Sequence, residues 1–147
     1  MSFIVYIRDS QYGMPLVQSV HLVGLTLLLA TVVVLNLRLA GVALKDSPRD
    51  WLTGQLRPWM LTGLAIVVLS GVFIFICTPA KYLVSNPFRV KMAVLLMAML
   101  FQYGVLRWFA SPAAAERSRA VCLAAAALSL TLWFTVGWAG RAIAFIP

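Results

Sequence analysis

Residues 15–37, PLVQSVHLVGLTLLLATVVVLNL, restrict the folds open to this chain more than any other stretch. At about 1.5 Å per residue the run makes roughly 34 Å of helix, enough to cross a bilayer core of about 30 Å. Its only ionisable side chain is His21, the single histidine of the chain. A cleaved signal peptide is the poorer reading, because its apolar region would stop after about 7 to 15 residues, whereas apolar residues here continue to Leu39.

Composition extends the argument to the whole chain. With 63% hydrophobic and 11% charged residues, it lacks the roughly 25% charge with which an average water-soluble domain covers its surface. The balance is basic, 12 Lys and Arg against 4 Asp and Glu. These bases punctuate apolar runs, a placement that suits anionic lipid headgroups and topology setting, and no nucleic-acid partner is expected. Cys77 and Cys122 fall inside apolar runs and read as small buried or lipid-facing residues.

Three further runs match the first. Residues 59–78 carry no charge. Residues 88–109 follow Asn86 and Pro87, a cap and a first-turn proline. Ser111 and Pro112 repeat that device before an alanine-rich helix from Ala113 that ends at Arg141. The expected architecture is an all-α, integral membrane four-helix bundle forming a single transmembrane domain over residues 1–147, with spans at about 15–38, 59–78, 88–109 and 119–140. In the first connector, Ser47 and Asp50 have capping-box spacing, and Trp51, Leu52 and Leu56 oppose Arg49, Gln55 and Arg57. That pattern predicts a short interfacial helix lying flat on the membrane. The first residues form a second interfacial patch, with Phe3 and Tyr6 in the headgroup zone.

Four spans put both termini on one side. That side holds five bases, Arg8, Lys81, Arg89, Lys91 and Arg141; the other holds seven, Arg38, Lys45, Arg49, Arg57, Arg107, Arg117 and Arg119. The positive-inside rule then predicts periplasmic termini.

His21 is the leading candidate for chemistry, since ionisable groups within a span face the bundle interior, a partner or a cofactor. Gln18 lies one turn before it, and Leu25, Leu28 and Val32 continue the face. Two readings stay open. In one, His21 is a neutral residue bonded across helices to Gln18, Thr135, Gln102 or Tyr103. In the other it ligates a metal, either the iron of a b-type haem or copper. A bis-histidine haem needs a second histidine, so haem here means His21 alone, a pairing with Met14 or Met60, or a haem shared between two chains. Copper would draw on thioethers, yet Met92 and Met99 share a helical face that Met97 does not. His21, Gln18, Gln102, Tyr103 and Thr135 also make a candidate quinone or lipid site. Paired carboxylates, a phosphate loop and a nucleophile elbow are all missing from the sequence, and the four acids lie outside the spans. Catalysis by this chain on its own is therefore not expected; packing against other membrane subunits, or against copies of itself, is.

Three stretches together carry a family resemblance: PLVQSVHLVGLTLL followed by LNLRLAG, then NPFRVKMAVLL, then WAGRAIAF. The chain resembles a family of small four-helix bacterial inner-membrane proteins without an assigned activity, distantly similar to copper-resistance D-type and cytochrome b-like membrane modules. The resemblance implies an inner-membrane location and makes His21 the position that inherits any cofactor chemistry. A further histidine near the end of the third helix belongs to that pattern; here the region reads FQYGVLRWF, with Gln102 and Arg107 in its place.

Overall fold

The structure, a computed structural model, describes residues 3–109, 111 and 116–142. Six helices occupy them: α1 (Phe3–Asp9), α2 (Gly13–Leu39), α3 (Arg49–Cys77), α4 (Pro79–Val84), α5 (Asn86–Phe109) and α6 (Arg119–Ala142). Of these, α2, α3, α5 and α6 are long and apolar enough to cross a membrane, so the chain is an all-α integral membrane protein.

Each long helix buries a stripe at alternating three- and four-residue spacing. On α5 it is Ala98, Gln102, Val105 and Phe109; on α6, Cys122, Ala126, Ser129, Trp133, Val136 and Ala139. A repeat averaging 3.5 residues keeps one face toward its neighbours along the full length of a left-handed bundle. Leu28, Val32, Met60, Val67, Ala98, Trp133 and Val136 meet in a core shared by all four helices.

The closest contact is between α2 and α3, where the backbones cross at Gly24 and Gly63. A Cβ placed on Gly63 would lie 2.7 Å from the Leu28 nitrogen and 3.0 Å from the Gly24 carbonyl oxygen. Without side chains at the crossing the two backbones touch, as small residues allow in membrane helix pairs. Elsewhere α2 packs along α6 and α6 along α5. The α3–α5 seam is instead joined by side chains at its ends. At one, the Arg49 guanidinium sits 5.4 Å from the Phe109 ring centre; at the other, Phe75 stacks on Phe88 at 5.6 Å with Tyr82 beside them.

The helix ends depart from the sequence expectation in instructive ways. In place of a separate interfacial helix in the first connector, the helix that begins at Arg49 runs through Pro58 to Cys77. Proline removes one backbone hydrogen bond, but the buried stripe continues across it through Leu52, Leu56 and Met60. The apolar side of this segment therefore packs on the bundle, while Trp51 stays exposed. No capping box forms, because Pro48 occupies the N-cap position. The carbonyl of Ser47 is engaged by Arg38, whose Nε and a terminal nitrogen donate to it at 3.2 and 3.0 Å, so Arg38 clamps the connector.

The cap of α5 is Ser85, whose hydroxyl accepts from the Phe88 nitrogen, and Asn86 already lies inside the helix. Ser118 serves α6 in the same way through the Val121 nitrogen. The expected helix start at Pro112 and Ala113, the Phe3 side chain and the last residues lie outside the described residues. At the end of α2, Gly41 adopts φ +67. The nitrogens of Gly41 and Val42 donate back to the Arg38 and Leu37 carbonyls, a Schellman closure that only glycine enters without strain.

Candidate functional site

Polar side chains on the buried stripes gather in two places. The first lies toward the end of the bundle shared by α1 and α4, where His21 of α2 reaches α3. Its Nδ1 is 2.8 Å from Ser70 Oγ. The Ser70 hydroxyl donates its proton to the Ile66 carbonyl within its own helix, so toward His21 it can only accept. In that arrangement the His21 proton sits on Nδ1 and Nε2 is the acceptor. The ring lies against the α3 backbone, since a Cβ on Gly71 would be 3.3 Å from His21 Cε1.

Lys91 of α5 adds a cation within electrostatic range of His21. Its ammonium rests beside α6, 3.3 Å from where a Cβ on Gly140 would stand. It is partly buried, and it pairs with none of the acids among the described residues, where Arg8–Asp9 forms the one ion pair. Four helices thus contribute to this end of the bundle: His21 from α2 and Lys91 from α5, with Gly71 of α3 and Gly140 of α6 leaving room for the His21 ring and the Lys91 side chain.

The second cluster is sealed. Asn36 Nδ2 donates to the Val32 carbonyl and to Ser129 Oγ. Ser129 passes its proton to Gln102 Oε1 at 2.8 Å, which also accepts from Trp133 Nε1. Indole is a donor only, so it fixes which end of the Gln102 amide faces it; the Val32 carbonyl does the same for Asn36. The network ties α2, α5 and α6 together and leaves Asn36 Oδ1 and Gln102 Nε2 without partners.

The five residues singled out from sequence are therefore divided. His21 heads the first cluster and Gln102 the second. Gln18 is exposed. Tyr103 is exposed on the outer side of α5 and accepts from Arg107 at 2.9 Å, while Thr135 donates to the Thr131 carbonyl of its own helix. Among the described residues no three of His, Cys, Asp and Glu converge. Sequence reasoning passed over Ser70, Lys91, Asn36, Ser129 and Trp133 as site residues, although a signal was present: Lys91 and Leu95 extend the α5 stripe of Ala98 and Gln102 by two more steps of four and three residues.

The model of a family of unknown function, DUF6644, matches residues 1–146. Neither a curated protein nor a solved structure matches the chain.

Proposed function

The chain belongs to the DUF6644 family, and from that premise we propose that it is a non-catalytic subunit of a bacterial inner-membrane assembly, one that contributes the head-group site for a quinone. The observation that carries this reading is the unmatched pair at the first cluster. Nε2 of His21 accepts the hydroxyl of a quinol, and the Lys91 ammonium donates to a quinone carbonyl, so the two oxidation states each find one charge-assisted or neutral hydrogen bond. The subunit role draws on α5, of whose apolar window only 17% is buried. Its outer face of Leu96, Met97 and Leu100 is exposed and offers a second membrane helix a surface to pack on.

The test is titration of the purified full chain with a short-chain alkyl benzoquinone, read by tryptophan fluorescence. Saturable quenching that is lost in His21→Ala and in Lys91→Met supports the reading. Identical quenching in wild type and both variants overturns it. Isolation of the chain as a monomer, with no stoichiometric partner after mild crosslinking in membranes, overturns the subunit role.

A b-type haem on His21 is the second reading, favoured by the same lone pair, since a ligating imidazole ordinarily donates its other ring N–H as His21 does to Ser70. A Soret band that disappears in His21→Ala would select it. Copper is the weakest of the three, because the Lys91 charge repels a cation at Nε2. The excess of bases on the other side supports periplasmic termini. A membrane-impermeant maleimide applied to intact spheroplasts should then label Lys81→Cys and spare Lys45→Cys; the converse pattern would reverse the orientation.

A further inference from the structure

On the outer side of the bundle, α5 and α6 diverge around a groove of about 450 Å³. Its walls are apolar: Phe101, Gly104 and Val105 on α5 face Val121 and Ala125 on α6. The groove exists because side chains are missing from it, since a Cβ on Gly104 would meet nothing within 4 Å and Ala125 opposite is short. From Phe101 to Trp108 it runs roughly 10 Å along the helix, a large part of one leaflet's half of a bilayer core of about 30 Å. Its one charged lining residue is Arg117, just before α6 and at the end of the bundle with the larger base count.

Arg117 differs from its neighbour Arg107. The Arg107 guanidinium is committed to Tyr103, donating to its hydroxyl at 2.9 Å and lying 5.6 Å from its ring centre. Among the described residues Arg117 forms no hydrogen bond or ion pair, not even with the adjacent Glu116. We propose that this groove binds one anionic phospholipid, its phosphate held by Arg117 and one acyl chain laid between α5 and α6 over Gly104. The charge on Arg117 sets the preference for an anionic headgroup, and Gly104 sets the room for the chain. Trp108, at the same end of the groove, lies where indole rings settle at the membrane interface.

Native mass spectrometry of the full chain released from detergent is the test, with phosphatidylglycerol and phosphatidylcholine of identical acyl chains as probes. Wild type should retain phosphatidylglycerol in preference. One basic residue near an anionic lipid surface corresponds to a change of about fivefold, so Arg117→Gln should lose about that factor for phosphatidylglycerol alone. Gly104→Leu, which fills open space, should reduce retention of both lipids, and Arg119→Gln, outside the groove, should change neither. Equal retention of the two lipids by wild type overturns the proposal, as does an Arg117→Gln protein that retains phosphatidylglycerol like wild type.

Discussion

Gly63→Ala tests the central contact of the bundle. The new Cβ would stand 2.7 Å from the Leu28 nitrogen, 3.0 Å from the Gly24 oxygen and 3.1 Å from the Leu28 Cα, all of them backbone atoms that cannot rotate away. Ordinary contact begins at 3.4 Å, so α2 and α3 must part by about 0.7 Å, the difference 3.4 − 2.7. A gap of that size forfeits a quarter to a half of the dispersion well of each atom pair it opens. A buried leucine makes about 50 such contacts worth about 0.15 kcal/mol each, so a quarter loss at Leu28 alone is about 2 kcal/mol. Against this stands the better helix propensity of alanine, about 1 kcal/mol. With the smaller losses at other residues along the crossing, the net expectation is a destabilisation of about 1 to 3 kcal/mol, in the range seen when well-packed cores are overfilled. The assay is reversible unfolding in mixed micelles of rising SDS fraction, followed by far-ultraviolet circular dichroism. Gly137→Ala is the reference, because a Cβ there meets nothing within 4 Å and should be neutral or stabilising. Should Gly63→Ala unfold at the same SDS fraction as Gly137→Ala, the backbone contact between α2 and α3 does not exist as described.

Three further perturbations probe other levels of the structure. Ser70→Ala removes the acceptor of the His21 Nδ1–H, which leaves a donor unmet at a cost of about 1 to 3 kcal/mol. In the wild-type protein ¹⁵N chemical shifts should report the Nδ1–H tautomer, and a wild-type spectrum of the Nε2–H form would refute the hydrogen-bond assignment. Ser129→Ala removes one of the two hydrogen bonds at Asn36 Nδ2 and one of the two at Gln102 Oε1; it should lower unfolding stability by about 1 to 3 kcal/mol, given about 0.5 to 1.5 for each bond lost, and a loss below about 0.5 kcal/mol would show that the network is not formed. Gly41→Ala meets no atom within 4 Å but must hold φ +67, so it should cost about 1 kcal/mol through backbone strain alone; a protein as stable as wild type would mean that the Schellman closure of α2 is absent.

The four spans were legible in the sequence because a membrane helix announces itself locally, by an apolar run of sufficient length. Helix ends were less so. Ser47 and Asn86, each just before a proline, read as capping residues, yet in both cases the cap lies one residue away. Pro48 itself is the N-cap of α3, and the caps of α5 and α6 are Ser85 and Ser118. The amphipathic segment after Arg49 exposed a different limit. Leu52 and Leu56 form an apolar side that would bury equally well in lipid or in protein, and only the continuation of the stripe into Met60 selects protein. Burial of the polar residues could be read from spacing, but their partners could not: His21 meets Ser70 across 49 positions and Asn36 meets Ser129 across 93.

The two polar clusters differ in what they leave over, and that difference favours one of them as the place for a ligand. The inner network leaves Asn36 Oδ1 and Gln102 Nε2 unpaired on residues that are 1% and 3% exposed; nothing larger than a water could reach such atoms without parting the helices. At His21 and Lys91 the leftover groups are a lone pair and an ammonium on side chains only partly buried, near the helix ends. Within an apolar span an ammonium without a counter-charge is costly unless a neighbouring group or a bound molecule meets it. A molecule that brings both a donor and an acceptor to this end of the bundle therefore relieves two costs at once, which is the physical reason to look for the quinone there and not at Gln102.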